Sequence, residues 1–357
     1  MEKIKWGVIG SGGIARRRTI PEGIIPSRLA ELITVYDIDA SVNEAVASDF
    51  RVTASRSIKE LLESDIDAVY VASPVNMHLS HVIECAMAKK HVLCEKPLGF
   101  TVMEAERMID TCEKQGVILC AGFMMRFHTQ HEMAKILIDD GKLGKLVYGR
   151  AQLSCWYPPI VDAWRQDPAL GGGGSLVDMG SHCIDLLQWF FGGIREVSCY
   201  TNNNVHPYRS EDSAVVTIHF ENGAIATVDT YFCIPDNSSK NILELYGSKG
   251  SIIARGTIGQ GDSGQMSAFI EGDNSLYDAQ QARNNDAGMN IGPKPVNTYL
   301  GEIDEFCKAV KNGLIPRNNS NVGLQNMKII EACYKSAKTK RSVEILNLKP
   351  ETEQHLS

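Results

Sequence analysis

The 357 residues exceed a typical single core, so two domains of about 100–200 residues each are expected. With 43% hydrophobic residues, 22% charged residues and a net charge of −7, the composition excludes a disordered chain, and the absence of a dense basic run excludes the footprint of nucleic-acid binding. No charged-then-apolar leader opens the chain and no stretch approaches the roughly 20 apolar residues of a membrane span, so a cytoplasmic protein with no membrane partner is expected.

Residues 4–9 read as a buried strand, and Gly10-Ser11-Gly12-Gly13-Ile14-Ala15 follows as a glycine-rich turn into a helix. The alternation then repeats, with strands at 32–36, 68–72, 91–94 and 117–120 and helices at 40–50, 58–63, 77–89 and 101–115. Strands alternating with helices at this spacing predict a parallel, doubly wound α/β sheet. Past residue 123 the pattern changes. One helix at 129–139 precedes β-type runs at 146–156, 197–201, 214–220, 224–232, 242–246 and 251–254. Asn222-Gly223 predicts a two-residue hairpin turn, and residues 247–250 a longer one. This half is expected to be α+β with a mostly antiparallel sheet. Residues 255–295, rich in Gly, Asn, Asp and Ser, read as irregular loop, and amphipathic helices at 297–312 and 322–339 close the fold. The expected division is 1–122, 123–345 and a tail at 346–357.

The ten cysteines are scattered singly without a CxxC pair, which predicts reduced core thiols, with Cys94 and Cys183 close enough to the chemistry to be sensitive to oxidation. Gly10-x-Gly12-x-x-Ala15 between a strand and a helix is a dinucleotide fingerprint, with Gly13 and Ile14 completing the cradle. Gly10 permits the tight turn, Gly12 lets backbone N–H groups approach a pyrophosphate, and the helix N-terminus favours its charge. Asp37 closes the second strand, where a carboxylate can hydrogen-bond a ribose and repel a 2′-phosphate, so NAD is expected over NADP. Arg16, Arg17 and Arg18 read as a solvated basic turn, with contact to phosphates as the alternative.

Ser73, Pro74, Asn76 and His78 follow the strand that ends at the crevice edge, and Cys94-Glu95-Lys96-Pro97 ends the next one. A lysine there can hydrogen-bond a reacting hydroxyl and stabilise alkoxide character. Further on, Trp164-Arg165 leads to a glycine run and then to Asp178 and His182, four residues apart on one helical face. The carboxylate can orient the imidazole, which can accept a hydroxyl proton. No further His or Cys stands at ligand spacing, so no metal is expected.

In this order, the fingerprint, Glu95-Lys96-Pro97, Trp164-Arg165 and Gly-Gly-Gly followed by Asp178-x-x-x-His182 resemble the glucose-fructose oxidoreductase/inositol dehydrogenase/rhizopine-catabolism (Gfo/Idh/MocA) family over about residues 4–345. The resemblance implies an N-terminal Rossmann domain and a C-terminal α+β domain whose open sheet supports a homodimer or homotetramer. It also implies a catalytic set at Lys96, Asp178 and His182, and cofactor contacts at Glu95, Lys96, Gly122, Trp164, Arg165 and Tyr299. Arg126 and Tyr157 join Lys96, Trp164, Arg165, Asp178 and His182 as candidate substrate contacts. The expected activity is NAD-dependent transfer of a hydride to or from a hydroxyl-bearing carbon of a sugar, glycoside or cyclitol. The alternatives are an NAD-dependent glycoside hydrolase that oxidises its sugar transiently and a non-catalytic cofactor-binding sensor.

Overall fold

The computed structural model describes residues 2–161, 163–271 and 288–345; the expected tail at 346–357 and residues 272–287 of the expected loop lie outside them. The first sheet holds β1 (Ile4–Ile9), β2 (Ala30–Tyr36), β3 (Thr53–Ala54), β4 (Ala68–Val71), β5 (His91–Cys94) and β6 (Leu119–Ala121), in the order β3-β2-β1-β4-β5-β6. Every pairing is parallel. The strand order reverses between β1 and β4, and the C-terminal edge at such a switch point is where open α/β sheets bind ligands. Both faces are covered, so the strands read as unbroken apolar runs. Along β1, Trp6 and Val8 enter one core with Ile20 and Phe306, while Ile9 enters another with Val82 and Met108.

The helix after the glycine turn, Ala15–Ile24, winds as a π-helix with Pro21 inside it. Proline has no N–H to donate and its ring crowds the preceding turn; the wider turn absorbs both, and Ile25 N–H donates to Ile20 O at 3.0 Å.

The second sheet contains β7 (Leu146–Ser154), β8 (Ile194–Asn202), β9 (Ser213–Phe220), β10 (Ile225–Tyr231), β11 (Ile242–Gly247), β12 (Gly250–Arg255), β13 (Gln265–Ile270), β14 (Met289–Asn290) and β15 (Val343–Glu344). Their order is β14-β13-β12-β11-β7-β10-β9-β8-β15, antiparallel throughout except between β7 and β10. Helices Ser181–Phe191 and Ser320–Thr339 pack on one face. The other face carries Tyr200, Val215 and Ile225, which are 67%, 40% and 48% exposed. Helix Thr298–Asn312 returns to pack on Ala15–Ile24, and Ser320–Thr339 also touches β6, so the end of the chain closes both sheets.

Three local expectations are corrected. Residues 255–295 are not irregular throughout, because β13 and β14 lie within them; Met266 and Ala268 are buried in alternation, but a six-residue strand flanked by Gly and Ser shows little periodicity. The Asn222-Gly223 hairpin has a three-residue loop, since Phe220 pairs with Ala224 and Gly223 takes the left-handed φ of +87° that closes such a loop. The connection after β11 is the two-residue turn, with Gly247 paired to Gly250. Those two glycines serve close packing: a Cβ on Gly247 would lie 2.1 Å from Leu143 O, and one on Gly250 2.4 Å from Phe269 O.

Arg126 is also corrected as a candidate substrate contact. Its Nε and Nη2 donate to the Asp185 carboxylate at 2.7–3.0 Å and its Nη1 to Arg317 O at 2.9 Å, all in the interior and away from the lining of the main cavity. The 3₁₀ turn Met124–Phe127 carries it toward helix Ser181–Phe191, so its fork locks two elements together. Arg126→Ala leaves a buried aspartate unpaired and is expected to lower stability by about 3–5 kcal/mol, read from urea unfolding curves; a loss under about 1 kcal/mol would refute the structural role.

Candidate active site

A cavity of about 640 Å³ lies at the C-terminal edge of the first sheet and is lined from both sheets. At one end is the glycine turn. Gly10 has a φ of +78°, and a Cβ there would sit 2.5 Å from Ser73 N, so backbone crowding forces glycine. Gly12 N donates to Asp37 Oδ2 at 3.0 Å, while Asp39 N donates to Oδ1 at 3.1 Å, which fixes the carboxylate at the end of β2. An added Cβ on Gly13 meets nothing within 4 Å, and Ile14 lines the cavity. Open space before Gly13 and a carboxylate beside the turn fit a dinucleotide.

The arginine cluster divides. Arg16 donates to Asp49 at 2.7 and 3.0 Å, and Arg18 to Glu22 at 2.6 Å, so both are occupied on the surface. Arg17 alone of the three lines the cavity, with Nε donating to Gly13 O at 3.1 Å.

Ser73 and His78 line the cavity below the turn, whereas Pro74 and Asn76 are exposed and do not. The two ring nitrogens of His78 face Ser73 O at 2.9 Å and Pro97 O at 3.0 Å, so this histidine ties the β4 and β5 loops together. Glu95 is half-buried and lines the cavity next to Lys96. Tyr70 donates its hydroxyl to Glu95, and Thr19 Oγ1 donates to Tyr70 at 2.9 Å. Burial raises the Glu95 pKa, against the pull of Tyr70 and Lys96. Gly122 stands behind this carboxylate, where a Cβ would press on it at 3.3 Å. Tyr299, on the returning helix Thr298–Asn312, is 2% exposed and reaches the cavity.

The candidate catalytic side chains join the two sheets. Lys96 Nζ donates to Asp178 Oδ1 at 2.7 Å and to Asp178 O at 2.6 Å. Arg165 Nε lies 3.3 Å from the same Oδ1, an ion pair without hydrogen-bond geometry, and its guanidinium stacks 4.2 Å from the centre of the Trp164 ring. Burial alone would raise the Asp178 pKa, but Lys96 and Arg165 outweigh it and hold the carboxyl well below the usual range. His182 packs edge-on against Phe123, and its buried Nδ1 has no hydrogen-bond partner among the described residues. Burial, and then the Lys96 ammonium, pulls its pKa down to about 3 against the opposite effect of Asp178. Tyr157 packs on Phe232 and is not part of the lining.

The expectation that Asp178 orients His182 is corrected: its hydrogen-bond donor is Lys96. Leu176–Gly180 is a π turn that precedes the α-helix Ser181–Phe191, so a four-residue step falls short of a full turn and the two side chains do not overlie. The turn is anchored by Glu211, whose carboxylate accepts from Gly174 N at 2.9 Å, Leu176 N at 3.0 Å and Tyr334 Oη at 2.9 Å. A Cβ on Gly174 would lie 2.0 Å from Glu211 O. Sequence reasoning missed Glu211, whose signal was only the glycine run needing a partner. The oxidation expected at Cys94 and Cys183 is not supported: both thiols are buried, and burial pushes their pKa well up, away from the reactive thiolate.

Two family models match the chain: "Oxidoreductase family, NAD-binding Rossmann fold" over residues 4–123 and "Oxidoreductase family, C-terminal alpha/beta domain" over residues 135–345. The chain is similar to the 1,5-anhydro-D-fructose reductase of Ensifer adhaerens, 26% identical over 345 residues that cover 96% of this chain and 98% of that one. To the myo-inositol 2-dehydrogenase of Thermotoga maritima it is 31% identical over 298 residues, 80% of this chain and 82% of that one. The crystal structure of an aldose-aldose oxidoreductase from Caulobacter crescentus with glycerol shares the fold, with a TM-score of 0.84 at 24% identity over 96% of this chain and 100% of that one. The fold, the glycine turn and these matches together show that the chain belongs to the GFO/IDH/MocA oxidoreductase family, with an NAD-binding Rossmann domain.

Proposed function

We propose that this oxidoreductase is an NAD-dependent dehydrogenase acting on one hydroxyl-bearing carbon of a sugar or cyclitol. The observation that carries the reading is the convergence of Lys96, Asp178 and His182 in the cavity that Ile14, directly after the glycine turn, also lines. Relatives named for 1,5-anhydro-D-fructose and myo-inositol support a polyhydroxylated ring as substrate. The transient-oxidation hydrolase is not favoured, since those relatives are a reductase and a dehydrogenase. In this reading residues 1–122 hold the cofactor, and residues 123–345 hold the substrate and a second copy of the chain. The open face of the nine-stranded sheet, with Tyr200, Val215 and Ile225 exposed, supports a homo-oligomer. Ten unpaired thiols suit a reducing compartment such as the cytoplasm.

Bound NAD supplies the nicotinamide ring that accepts a hydride. The side chains handle the proton and the position of the hydroxyl. Lys96, held by Asp178, presents its ammonium to the substrate oxygen and stabilises developing alkoxide charge. The imidazole of His182, which lines the cavity, accepts the hydroxyl proton. Arg165 and Trp164 close one side of the site, and Glu95, Gly122 and Tyr299 support the cofactor end.

His182→Ala is expected to fold and to bind NAD with wild-type affinity while losing about 10²- to 10⁴-fold in turnover, with Lys96→Ala similarly impaired. Near-wild-type steady-state oxidation by His182→Ala would end the mechanism. The pH profile follows from the depressed His182 pKa. A lowered pKa leaves the imidazole unprotonated and able to accept a proton across neutral pH, and that form is lost only as pH falls through about 3. The kcat/KM profile for oxidation is therefore expected to lack a His182 limb near the ordinary value of 6.5, and a limb there that disappears in His182→Asn would contradict it. Asp37 is expected to make NAD preferred over NADP, and Asp37→Ala to narrow the preference by about tenfold or more through loss of charge repulsion, measured by kcat/KM with each dinucleotide.

A further inference from the structure

One part of the cavity lining is built from residues that the mechanism does not use. Ser154 ends β7, Asp236 lies in the turn after β10, and Gln260 follows β12. Ser154 Oγ is buried and has no hydrogen-bond partner among the described residues, although the residue lines the cavity at 5% exposure. A buried hydroxyl left unpaired is costly, and a polar ligand in the cavity would supply a partner. Asp236, an exposed residue on the same lining, accepts from Trp156 N at 2.9 Å through Oδ1.

The charges on this end are matched internally. Lys96 and Arg165 both lie against Asp178, at 2.7 and 3.3 Å. Asp236 is a further carboxylate on the lining, so among the described residues at this end two cations, Lys96 and Arg165, face two carboxylates, Asp178 and Asp236. Arg17 stands at the other end, bonded to Gly13 O. A phosphate or carboxylate on the substrate would have to compete with Asp178 for Lys96 and Arg165, whose charge that carboxylate shares, and would bring a second like charge near Asp236, which costs affinity.

Resting on the dehydrogenase reading, we infer that this wall selects an uncharged polyhydroxylated substrate, with Ser154 and Asp236 hydrogen-bonding hydroxyls remote from the reacting carbon, and that it excludes sugar phosphates and sugar acids. The test is initial-rate kinetics of the full chain with NAD on a matched set: an aldose, its 6-phosphate, its uronate and a cyclitol. The expected result is a preference of about 100-fold or more in kcat/KM for the uncharged members. Ser154→Ala is expected to raise KM for the best uncharged substrate about 3- to 10-fold with NAD affinity unchanged. Asp236→Asn is expected to weaken the discrimination against the 6-phosphate and the uronate. Preference for an anionic member, or an unchanged KM in Ser154→Ala, overturns the inference and leaves the dehydrogenase reading standing. NAD binding without reduction by any member overturns both.

Discussion

The ion pair between Lys96 and Asp178 is the constraint on which the site depends. Its partners are 82 residues apart, one at the end of β5 and the other in the π turn that leads toward the second sheet. Two charges taken out of water recover their desolvation cost only with good geometry and further hydrogen bonds. Both conditions are met, because Lys96 also donates to Asp178 O and Arg165 stands against the same carboxylate. In the proposed mechanism the pair holds the lysine in position before any substrate arrives, which is the condition for electrostatic stabilisation of a developing oxyanion.

Around this pair, each neighbouring group is arranged to present one polar atom while satisfying the rest. Asp178 is consumed by Lys96, and His182, packed against Phe123, keeps an unshared ring nitrogen in a dry setting that disfavours the imidazolium. Next to Lys96, the Thr19-Tyr70-Glu95 chain carries hydrogen bonding from the first helix to the β5 loop. Glu211 does the corresponding work on the other side by gathering the backbone N–H groups of Gly174 and Leu176 and the Tyr334 hydroxyl. The glycines at 173 and 174 are there because these partners leave no room: a Cβ on Gly173 would lie 1.9 Å from Tyr334 Oη.

Two π segments recur where the chain changes direction near the cavity. In Ala15–Ile24 the cause is local, since Pro21 cannot continue a regular helix. In Leu176–Gly180 no proline is present, and the wide turn accompanies the tertiary anchoring of Gly174 and Leu176 by Glu211. The same turn type thus arises once from covalent chemistry and once from packing.

That difference marks what the sequence by itself determined. The alternation of apolar strands with helices, the glycine turn and Asp37 after the second strand specify the parallel sheet and its cofactor edge, because strand burial, left-handed backbone and carboxylate placement are properties of a few adjacent residues. Lys96, Asp178 and His182 were legible as candidates for the same reason, each standing in a short and distinctive segment. The tertiary structure alone decided their partners. Asp178 bonds a lysine 82 residues away rather than the histidine four residues on, Arg126 turns from the cavity to Asp185, and β13 is a strand only because β12 offers it a paired edge. Hydrogen bonds and ion pairs over such separations depend on where the packed elements bring the side chains, and a linear pattern of residue types carries no record of that geometry.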